Sequence, residues 1–510
     1  MNPRRAIFLA STASLLLATS VARAQEIQIT DPIAPPPIPM AGYADTGFYL
    51  HDSKDFFRLY PRGRMYLDFG TTAGPSVPEI AGSDGGSALG SKFSVRRLRL
   101  ELAGDLFQAR VSFLASVDLG GQSITNVNGK AQNYASKVGE APTATTARFS
   151  AIETAAPTAS LADVWVNVKV VPQLQFMIGQ YQTPFSLENR IAEGNYQFME
   201  RNFAMRSFVI QSQKESGITA WGVIDGGTFN YEVMVSGGDG SNRPNVDSRV
   251  DFFGRVFARP FAHSSDFEYI QVGASAHHGD RDPKSVGYDL TQITTNQGFV
   301  LWDPTYKDSL GRTMHILPSG AQDAIGGELR VPIGRFDLRG EAYYVRNQTR
   351  EAVDGYQLTS IERTGTMRGV GWYATISAWP FGDSYVMNDN GISRPRVLDL
   401  TNTKPKVKRG LETLVTVSGV NAHYDGASRA GVRDPKTPDG DITIYNVGVG
   451  ANYWVTRHFR ASFNYMRYDT PGSGSKDNLA VVPGNASSNP SVAAGSHVIH
   501  ELGGRIWLQF

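Results

Sequence analysis

Apolar and polar residues of this chain alternate in short segments that are separated by turn-forming residues. In the segment 92–104, three leucines occupy alternate positions and charged residues stand between them: Leu98, Leu100, Leu102, Arg97, Arg99 and Glu101. Because successive side chains of a strand point to opposite faces, this segment predicts a strand with one apolar and one charged face. Such a strand suits a barrel wall between lipid and a wet lumen.

The same alternation recurs along most of the chain and predicts sixteen strands. They lie near residues 58–70, 92–104, 107–119, 161–170, 174–182, 215–224, 228–236, 247–259, 267–278, 323–331, 335–346, 366–379, 410–423, 441–454, 457–468 and 497–510. Single-chain barrels of the bacterial outer membrane have even strand numbers, and this count agrees. The predicted fold class is all-β, a transmembrane antiparallel β-barrel of about sixteen strands.

The predicted connections support the barrel because short and long links alternate. With a periplasmic start, the inner links are short, as at Asp105-Leu106 and Val455-Thr456, whereas outer links such as 120–160 and 183–214 are long. Short inner turns and long outer loops are typical of outer-membrane barrels. The link 380–409 departs from this rule, because it is a long link on the inner side.

The first residues predict export from the cytoplasm. Arg4 and Arg5 precede an apolar run, and Ala22-Arg23-Ala24 is a small-x-small cleavage site, so residues 1–24 are predicted to be a signal peptide. We expect a Pro-rich tether over 25–57 and the barrel domain over 58–510. The expected location is the bacterial outer membrane.

Composition excludes several classes of protein. The chain has no cysteine, which excludes disulfides, a thiol nucleophile and a cysteine metal site. It carries 49 basic and 48 acidic side chains, and loss of the three signal-peptide arginines leaves 46 and 48, a net charge of −2. This balance gives no indication of nucleic-acid binding. After Ala24, the sequence offers no apolar run long enough for a transmembrane helix.

The sequence also gives no sign of catalysis or of metal binding. It contains no Gly-x-Ser-x-Gly elbow, no P-loop and no His-Glu-x-x-His motif. His277 and His278 are adjacent, so in a strand their side chains point to opposite faces. We therefore expect no enzyme, no cofactor and no metal site, since a barrel enzyme would need a Ser-His or Asp-His group at its rim.

One stretch resembles a known family. Residues 161–188 read as a strand, a tight turn, a second strand and then Gly-Gln-x-x-x-Pro-Phe-Ser-Leu-Glu, and Phe198-Met199-Glu200-Arg201 follows. These pieces are similar to the phosphate-selective porin O and P family of the bacterial outer membrane. The resemblance covers most of residues 58–510, and its most specific parts are 179–188 and 198–201.

The resemblance implies a homotrimer of sixteen-stranded pores in outer-membrane lipid, in which the third outer loop folds inward and narrows the lumen. Here the corresponding loop is 183–214. It also implies passive diffusion of small anionic solutes such as phosphate. Phosphate-selective members carry clustered loop lysines and an arginine ladder, whereas loop lysines such as Lys284 and Lys307 are scattered here. A general small-solute porin without strong anion selectivity therefore remains an alternative, as does a receptor barrel that binds through its outer loops.

The predicted constriction loop carries charges of both signs. They are Glu188, Arg190, Glu193, Glu200, Arg201, Arg206 and Lys214. A narrow throat with low-dielectric walls focuses the field of such charges, so a few of them can select the sign of a passing ion. The alternative is that they pair with the barrel wall and hold the loop in place.

Basic residues on the polar faces of the predicted strands are candidates for the pore wall. They are Arg97, Arg99, Arg110, Lys169, Arg255, Arg259 and Arg339. The planar donors of a guanidinium group match phosphate or carboxylate oxygens. The alternative is pairing inside the lumen with neighbouring carboxylates, namely Glu101, Asp251, Asp337 and Glu341. Aromatic residues on the apolar faces, including Tyr66, Tyr445 and Phe463, are expected in belts near the lipid headgroups.

Overall fold

The structure is a computed structural model. It describes residues 38–44, 47–73, 90–120, 160–208, 213–245, 247–264, 267–282, 288–353, 363–382, 400–401, 409–428, 434–472, 478–480 and 498–510. The chain divides into Met1–Pro39 and Met40–Phe510. The predicted signal peptide and the first residues of the predicted tether lie outside the described residues, so the fold below is that of the second unit.

Sixteen long strands form the second unit. In chain order they are β1 Phe57–Ala73, β2 Gly90–Leu106, β3 Val111–Asp118, β4 Ser160–Val171, β5 Leu174–Gln182, β6 Lys214–Ile224, β7 Phe229–Ser236, β8 Asp251–Ala258, β9 Gln271–Arg281, β10 Thr313–Ile333, β11 Phe336–Val353, β12 Arg363–Phe381, β13 Gly410–Ser428, β14 Gly440–Thr456, β15 Phe459–Asp469 and β16 Val498–Gln509.

Each strand pairs antiparallel with the next, and β16 pairs with β1, where Trp507 stands opposite Tyr66. The sheet is therefore a closed barrel of sixteen strands. Closure satisfies the hydrogen bonds of both edge strands, which a sheet in lipid requires. The predicted fold class is confirmed.

The two faces of the barrel wall differ as the alternation predicted. On β2, Leu98, Leu100 and Leu102 are exposed on the outside, whereas Arg99 and Glu101 are buried on the inside. The apolar outer face suits lipid, and the inner face carries polar and charged groups. No helix among the described residues is long and apolar enough to cross a membrane.

Most predicted strand positions agree with the structure, and the first inner turn is the clearest error. β2 continues through Leu106, and residues Phe107, Gln108 and Ala109 all have positive φ, between 54° and 61°. Three consecutive left-handed residues cannot continue a strand. The turn is therefore 107–110 and not Asp105-Leu106.

Part of the predicted tether is folded. Ala41–Ala44 and Gly47–His51 form an antiparallel hairpin, and Leu50 pairs with Leu59 of β1. The hairpin packs its Tyr49 with Tyr60 of β1.

Two segments between strands lie inside the barrel. The constriction loop connects β5 to β6, and its described residues, 183–208 and 213, contain the helices α1 Leu187–Arg190 and α2 Phe203–Phe208. The inner segment, residues 288–307 between β9 and β10, pairs Ile293–Thr294 with Val300–Trp302. Apolar residues of both segments form one buried cluster with inward-facing residues of β13 to β16, including Phe203, Phe299, Leu301, Val420, Ile444, Met466 and Ile499.

Candidate functional site

Two positions at the end of β5 and the start of the constriction loop have backbone conformations that restrict the residue type. Gly179 has a φ of 137°, and a Cβ atom there would lie 2.1 Å from the Val164 carbonyl oxygen, so only glycine fits. Ser186 has a φ of 75° and caps α1, because its Oγ accepts a hydrogen bond from the Asn189 N–H at 3.3 Å. The Gly-Gln-x-x-x-Pro-Phe-Ser-Leu-Glu motif thus has a structural reason at both of these positions.

Glu341 of β11 fixes the first turn of α1 across the barrel from β5. Its carboxylate accepts hydrogen bonds from Ser186 Oγ at 3.0 Å, Leu187 N–H at 2.6 Å and Glu188 N–H at 3.0 Å. The Tyr373 hydroxyl donates to the same carboxylate at 2.7 Å. A carboxylate at a helix N-terminus satisfies amide donors that have no partner within the helix. The loop is therefore held on two sides of the lumen.

The acidic residues of the loop are held by arginines of the wall. Glu193 lies 2.8 Å from Arg99 and 3.4 Å from Arg97 of β2. Glu200 lies 3.0 Å from Arg96 of β2 and 2.7 Å from Arg505 of β16. These pairs are buried, so the structure supports the anchoring interpretation for both glutamates.

Two basic residues of the loop region are anchored in the same way. Arg190 lies 2.6 Å from Glu232 of β7, and Lys214, at the start of β6, lies 2.9 Å from Asp163 of β4. All four side chains are largely buried. Their charges are compensated by the wall.

Arg201 and Arg206 differ from these residues. Arg201 donates to the carbonyl oxygens of Glu188 and Asn189, at 3.4 and 3.3 Å, and to the Gln213 side chain. Arg206 donates to the Arg201 carbonyl at 3.1 Å and to Asn296 Oδ1 at 2.7 Å. Within the described ranges, neither arginine has a carboxylate oxygen within 4.0 Å, although the carboxylate of Glu188 interacts electrostatically with both.

A small cavity separates the constriction loop from the wall formed by β11 to β15. We call this cavity the gap. The loop side of the gap carries the charged residues Glu188, Glu200 and Arg201. The wall side carries mostly neutral hydrogen-bonding groups, and its residues include Arg339, Tyr373, Thr375, Thr416, Asn446 and Tyr468. Glu188 accepts from the Asn202 N–H at 2.8 Å through Oε1, while its Oε2 has no partner in the described part of the chain.

The inner segment also borders the gap. Asn296 lines the gap, and its backbone N–H donates to the Tyr468 hydroxyl at 3.2 Å. Glu501 of β16 accepts from the Gln297 N–H at 3.1 Å and from the Thr295 hydroxyl. The narrow part of the lumen is thus built from two segments and not from the constriction loop alone.

Comparison of the sequence with known families decides the assignment. The sequence profile of phosphate-selective porin O and P matches residues 76–489. The chain belongs to this porin family. It is therefore a porin of the bacterial outer membrane, and the resemblance inferred from residues 161–201 is confirmed.

Several solved structures are similar to this porin at low sequence identity. A loop L8 deletion mutant of OmpT from Vibrio cholerae is 9% identical, with 89% of this chain and 100% of that chain covered and a TM-score of 0.45. The channel DcaP of Acinetobacter baumannii is 9% identical, with coverages of 89% and 97% and a TM-score of 0.44. An anion-selective porin from Comamonas acidovorans is 10% identical, with coverages of 89% and 100% and a TM-score of 0.43. No curated protein sequence matches the chain.

Most of the predicted wall cations of the porin lie on its inner face, and most have partners. Arg255 lies 2.8 Å from Glu328 and 3.4 Å from Glu232. Arg339 lies 2.7 Å from Asp337, as the pairing alternative predicted. Arg259, just after β8, donates to Gln271 Oε1 at 3.1 Å. Arg97 and Arg99 face the constriction loop as described above.

Arg110 and Lys169 were predicted to lie on the pore wall, and neither lies at the gap. Arg110 lies in the turn 107–110 and is exposed, so its assignment to a strand face of the pore was wrong. The error follows from the left-handed residues that end β2 later than the alternation suggested. Lys169 is half-buried near the inner end of β4, away from the gap.

Aromatic residues of the porin are distributed as expected with one exception. Tyr445 and Phe463 are exposed on the outer face, where a headgroup belt is expected. Tyr66 instead points inward and is 1% exposed, on the same face of β1 as Arg64 and Asp68. The register shift between Tyr66 and Leu67 adds one residue to β2 and leaves the alternation of β1 intact. Its ring contacts Trp507, which together with Trp454 encloses the Arg460 guanidinium.

Sequence reasoning missed Arg96, Arg505 and Glu341 as residues that hold the loop. Arg505 could have been found, because it alternates with Ile506 and Leu508 on the polar face of the predicted last strand. Arg96 could not, since the same register shift places both Arg96 and Arg97 on the inside. Among the residues described, no cluster of three or more His, Asp or Glu side chains could hold a metal ion.

Proposed function

We propose that this porin passes small hydrophilic solutes with a preference for anions, phosphate among them, and that the gap makes the selection. The observation that carries the proposal is the contrast within the constriction loop. Glu193 and Glu200 each contact two arginines, whereas Arg201 and Arg206 donate hydrogen bonds only to neutral oxygens among the residues that the structure describes. Among the described residues, the loop therefore presents two arginines without a direct ion pair, near the carboxylate of Glu188.

Physical chemistry supports an anion preference at such a place. Charges act more strongly in a narrow passage with low-dielectric walls than in open water. A guanidinium group also offers parallel donors that match the oxygens of phosphate. Neutral groups such as Thr375, Thr416 and Asn446 on the facing wall can hydrogen-bond a partly dehydrated anion without repelling it.

A general small-solute porin is the second candidate. It is favoured by the extensive pairing of charges in the lumen, where Arg99, Arg255 and Arg339 all contact carboxylates. Glu188 also places a carboxylate in the gap beside Arg201. In both candidates the solute passes without chemical change, and the protein needs neither a cofactor nor a catalytic group.

We further propose that the porin is a homotrimer in outer-membrane lipid. The family resemblance implies this state, and one similar solved structure is the trimer form of OmpT from Vibrio cholerae. Chemical cross-linking of the purified protein in mild detergent should give a product of three chains. A product of one chain only would contradict the proposed trimer and leave the pore proposal standing.

The test of function is the zero-current potential of the protein in a planar bilayer under a potassium chloride gradient. We expect a potential of the anion-selective sign, and a fall in chloride current when phosphate is added. A weak or cation-selective potential would favour the general porin. The absence of any conductance, combined with ligand binding by the outer loops, would favour a receptor barrel.

The variant Arg201→Gln tests where selection occurs. We expect the permeability ratio of anion to cation to fall roughly fivefold, since loss of one nearby charge is worth about 1 kcal/mol at water-like screening. Arg110→Gln removes the same charge in the exposed inner turn and should leave the ratio unchanged. Equal effects of both variants would show that the gap does not select ions.

A further inference from the structure

The outer face of the barrel carries a row of charged and histidine side chains near the end that bears the long loops. Cross-strand pairing places one residue from each strand of β9 to β14 beside the next: His278, Asp323, Arg346, Arg368, His423 and Asp441. Their side chains point away from the lumen, since chain neighbours such as Val345 and Met367 are buried inside. We call this set the charged row.

The charged row lies at the edge of the apolar outer face. On β11, Phe336, Ala342 and Tyr344 are exposed between the inner turn and Arg346. The advance from Phe336 to Arg346 corresponds to about 34 Å along a strand, or about 25 Å across the membrane at the usual strand tilt. The apolar band of an outer-membrane barrel has about this height. We therefore expect the charged row at the level of the lipid headgroups.

The two ends of the charged row are paired internally. His278 Nδ1 lies 2.7 Å from Asp323 Oδ1, and His423 Nδ1 lies 2.8 Å from Asp441 Oδ1. His423 Nε2 also lies 3.7 Å from Asp439 Oδ1. The carboxylates of the row thus have histidine partners, and the two arginines stand between these pairs.

Arg346 and Arg368 have no such partner. They stand directly opposite each other on β11 and β12, and both are exposed. Neither side chain makes a hydrogen bond or an ion pair with any residue in the described part of the chain. Like charges directly opposite on adjacent strands repel each other. An anion placed between the two guanidinium groups would relieve this repulsion.

A lipid phosphate fits this place in both chemistry and height. Two guanidinium groups offer forks of donors that match phosphate oxygens. The acyl chains of the same lipid would cover exposed apolar residues of the two strands, such as Tyr344 and Val370. Arg467 gives the contrast, because it is exposed on the outer face of β15 and contacts Asp469 at 2.9 Å.

We propose that Arg346 and Arg368 bind the phosphate group of a lipid in the outer leaflet. The two guanidinium groups hold the phosphate, and the acyl chains lie along the apolar outer faces of β11 and β12. This site is outside the lumen, so it is distinct from the anion selection proposed for the gap.

The test is native mass spectrometry of the full-length porin in dodecyl maltoside, with two lipids that share the same acyl chains. Dioleoyl phosphatidic acid has a phosphate headgroup, whereas dioleoylglycerol has none. We expect saturable binding of phosphatidic acid and much weaker binding of dioleoylglycerol. Arg346→Gln and Arg368→Gln should each weaken the binding of phosphatidic acid roughly fivefold. Arg467→Gln removes an arginine that already has a carboxylate partner and should change this binding less than twofold.

A thermal unfolding scan gives a second readout and shows that the variants are folded. Phosphatidic acid should raise the Tm of the wild-type protein, whereas the double variant Arg346→Gln/Arg368→Gln should show no such rise. Inorganic phosphate at the same concentration should leave the wild-type Tm unchanged, because it has no acyl chains to cover the apolar face.

Three outcomes would overturn the lipid proposal. They are equal binding of the two lipids, equal binding of phosphatidic acid by the double variant and the wild-type protein, and a rise in Tm with inorganic phosphate as large as that with phosphatidic acid. If the double variant instead loses only the cross-linked trimer, the arginines contact a second copy of the chain and not a lipid. The zero-current potential reports on the lumen, so the anion proposal is tested separately.

Discussion

The two sides of the lumen use their polar residues differently. On the side of β16, β1 and β2, arginines such as Arg96, Arg99 and Arg505 contact glutamates of the constriction loop. On the side of β12 to β14, neutral residues such as Thr416 and Asn446 face the gap. The first side holds the loop through ion pairs, whereas the second side contacts it through neutral hydrogen bonds, such as that from Asn202 to Thr416, and lines the gap. The number of charges in a pore wall is therefore a poor measure of its selectivity.

The energetic reason for this division is the cost of burying charge. A buried ion pair offers little net stability over well-packed neutral groups, but loss of one partner leaves a buried charge without compensation. The pairs of Glu193 and Glu200 therefore give the loop one strongly preferred position. Neutral hydrogen-bonding groups carry a smaller cost when they exchange one partner for another.

The largest effect is expected from Glu200→Gln. This change removes the carboxylate that Arg96 and Arg505 share, and it should cost the docked loop about 3–5 kcal/mol. A loop that leaves its position widens the passage, so we expect a higher and noisier single-channel conductance. The control Asp469→Asn weakens an exposed pair with Arg467 on β15. An unchanged conductance in Glu200→Gln would show that these arginines do not hold the loop.

A smaller effect is expected from Glu501→Gln, which weakens the attachment of the inner segment. Glu501 accepts from Thr295 and from the Gln297 N–H, and loss of buried hydrogen bonds costs about 1–3 kcal/mol. We expect faster protease cleavage within residues 288–307 and little change in ion selectivity. Cleavage at the wild-type rate would mean that other contacts hold the segment.

Asn446→Asp places one negative charge among the neutral residues of β12 to β14 that face the gap. The zero-current potential should shift toward cation selectivity, by a severalfold change in permeability ratio, since one nearby charge is worth about 1 kcal/mol. Asn421→Asp makes the same substitution on the outer face of β13 and is the control. If both variants shift the potential equally, the gap is not the selective part of the lumen.

The smallest effect is expected from Arg249→Gln. Arg249 contacts Asp280 at an exposed site outside the lumen. Exposed ion pairs contribute about 0–1 kcal/mol, so the free energy of unfolding and the conductance should both stay close to the wild-type values. A loss of stability comparable to that of Glu200→Gln would contradict the contrast between buried and exposed pairs.

The sequence predicted the barrel well because its strands obey a local rule. Alternation placed β5 at Leu174–Gln182 and set the faces of Leu100 and Arg99 correctly. That rule fails where the backbone departs from regular pairing. The register shift opposite Tyr66 and Leu67 adds one residue to β2 and brings Arg96 into the lumen, and the left-handed turn displaced Arg110.

The candidate site was less predictable because it depends on contacts between distant residues. The constriction loop was identified from its length and its resemblance to the family, and five of its charges lie against the wall or the gap. The inner segment gave no comparable signal, since Gln297 and its partner Glu501 are far apart in the sequence. Whether Arg201 selects solutes remains a prediction that the zero-current potential will test.

The pairing of β16 with β1 also constrains how the molecule forms. Trp507 must meet Tyr66 across most of the chain, and contacts between such distant residues make folding slow. Until β16 pairs with β1, each of these strands has an edge whose backbone N–H and C=O groups have no partner. Such groups are costly in hydrocarbon, and they can pair with a strand of another chain. The unclosed barrel is therefore the form of the chain most exposed to pairing with another chain.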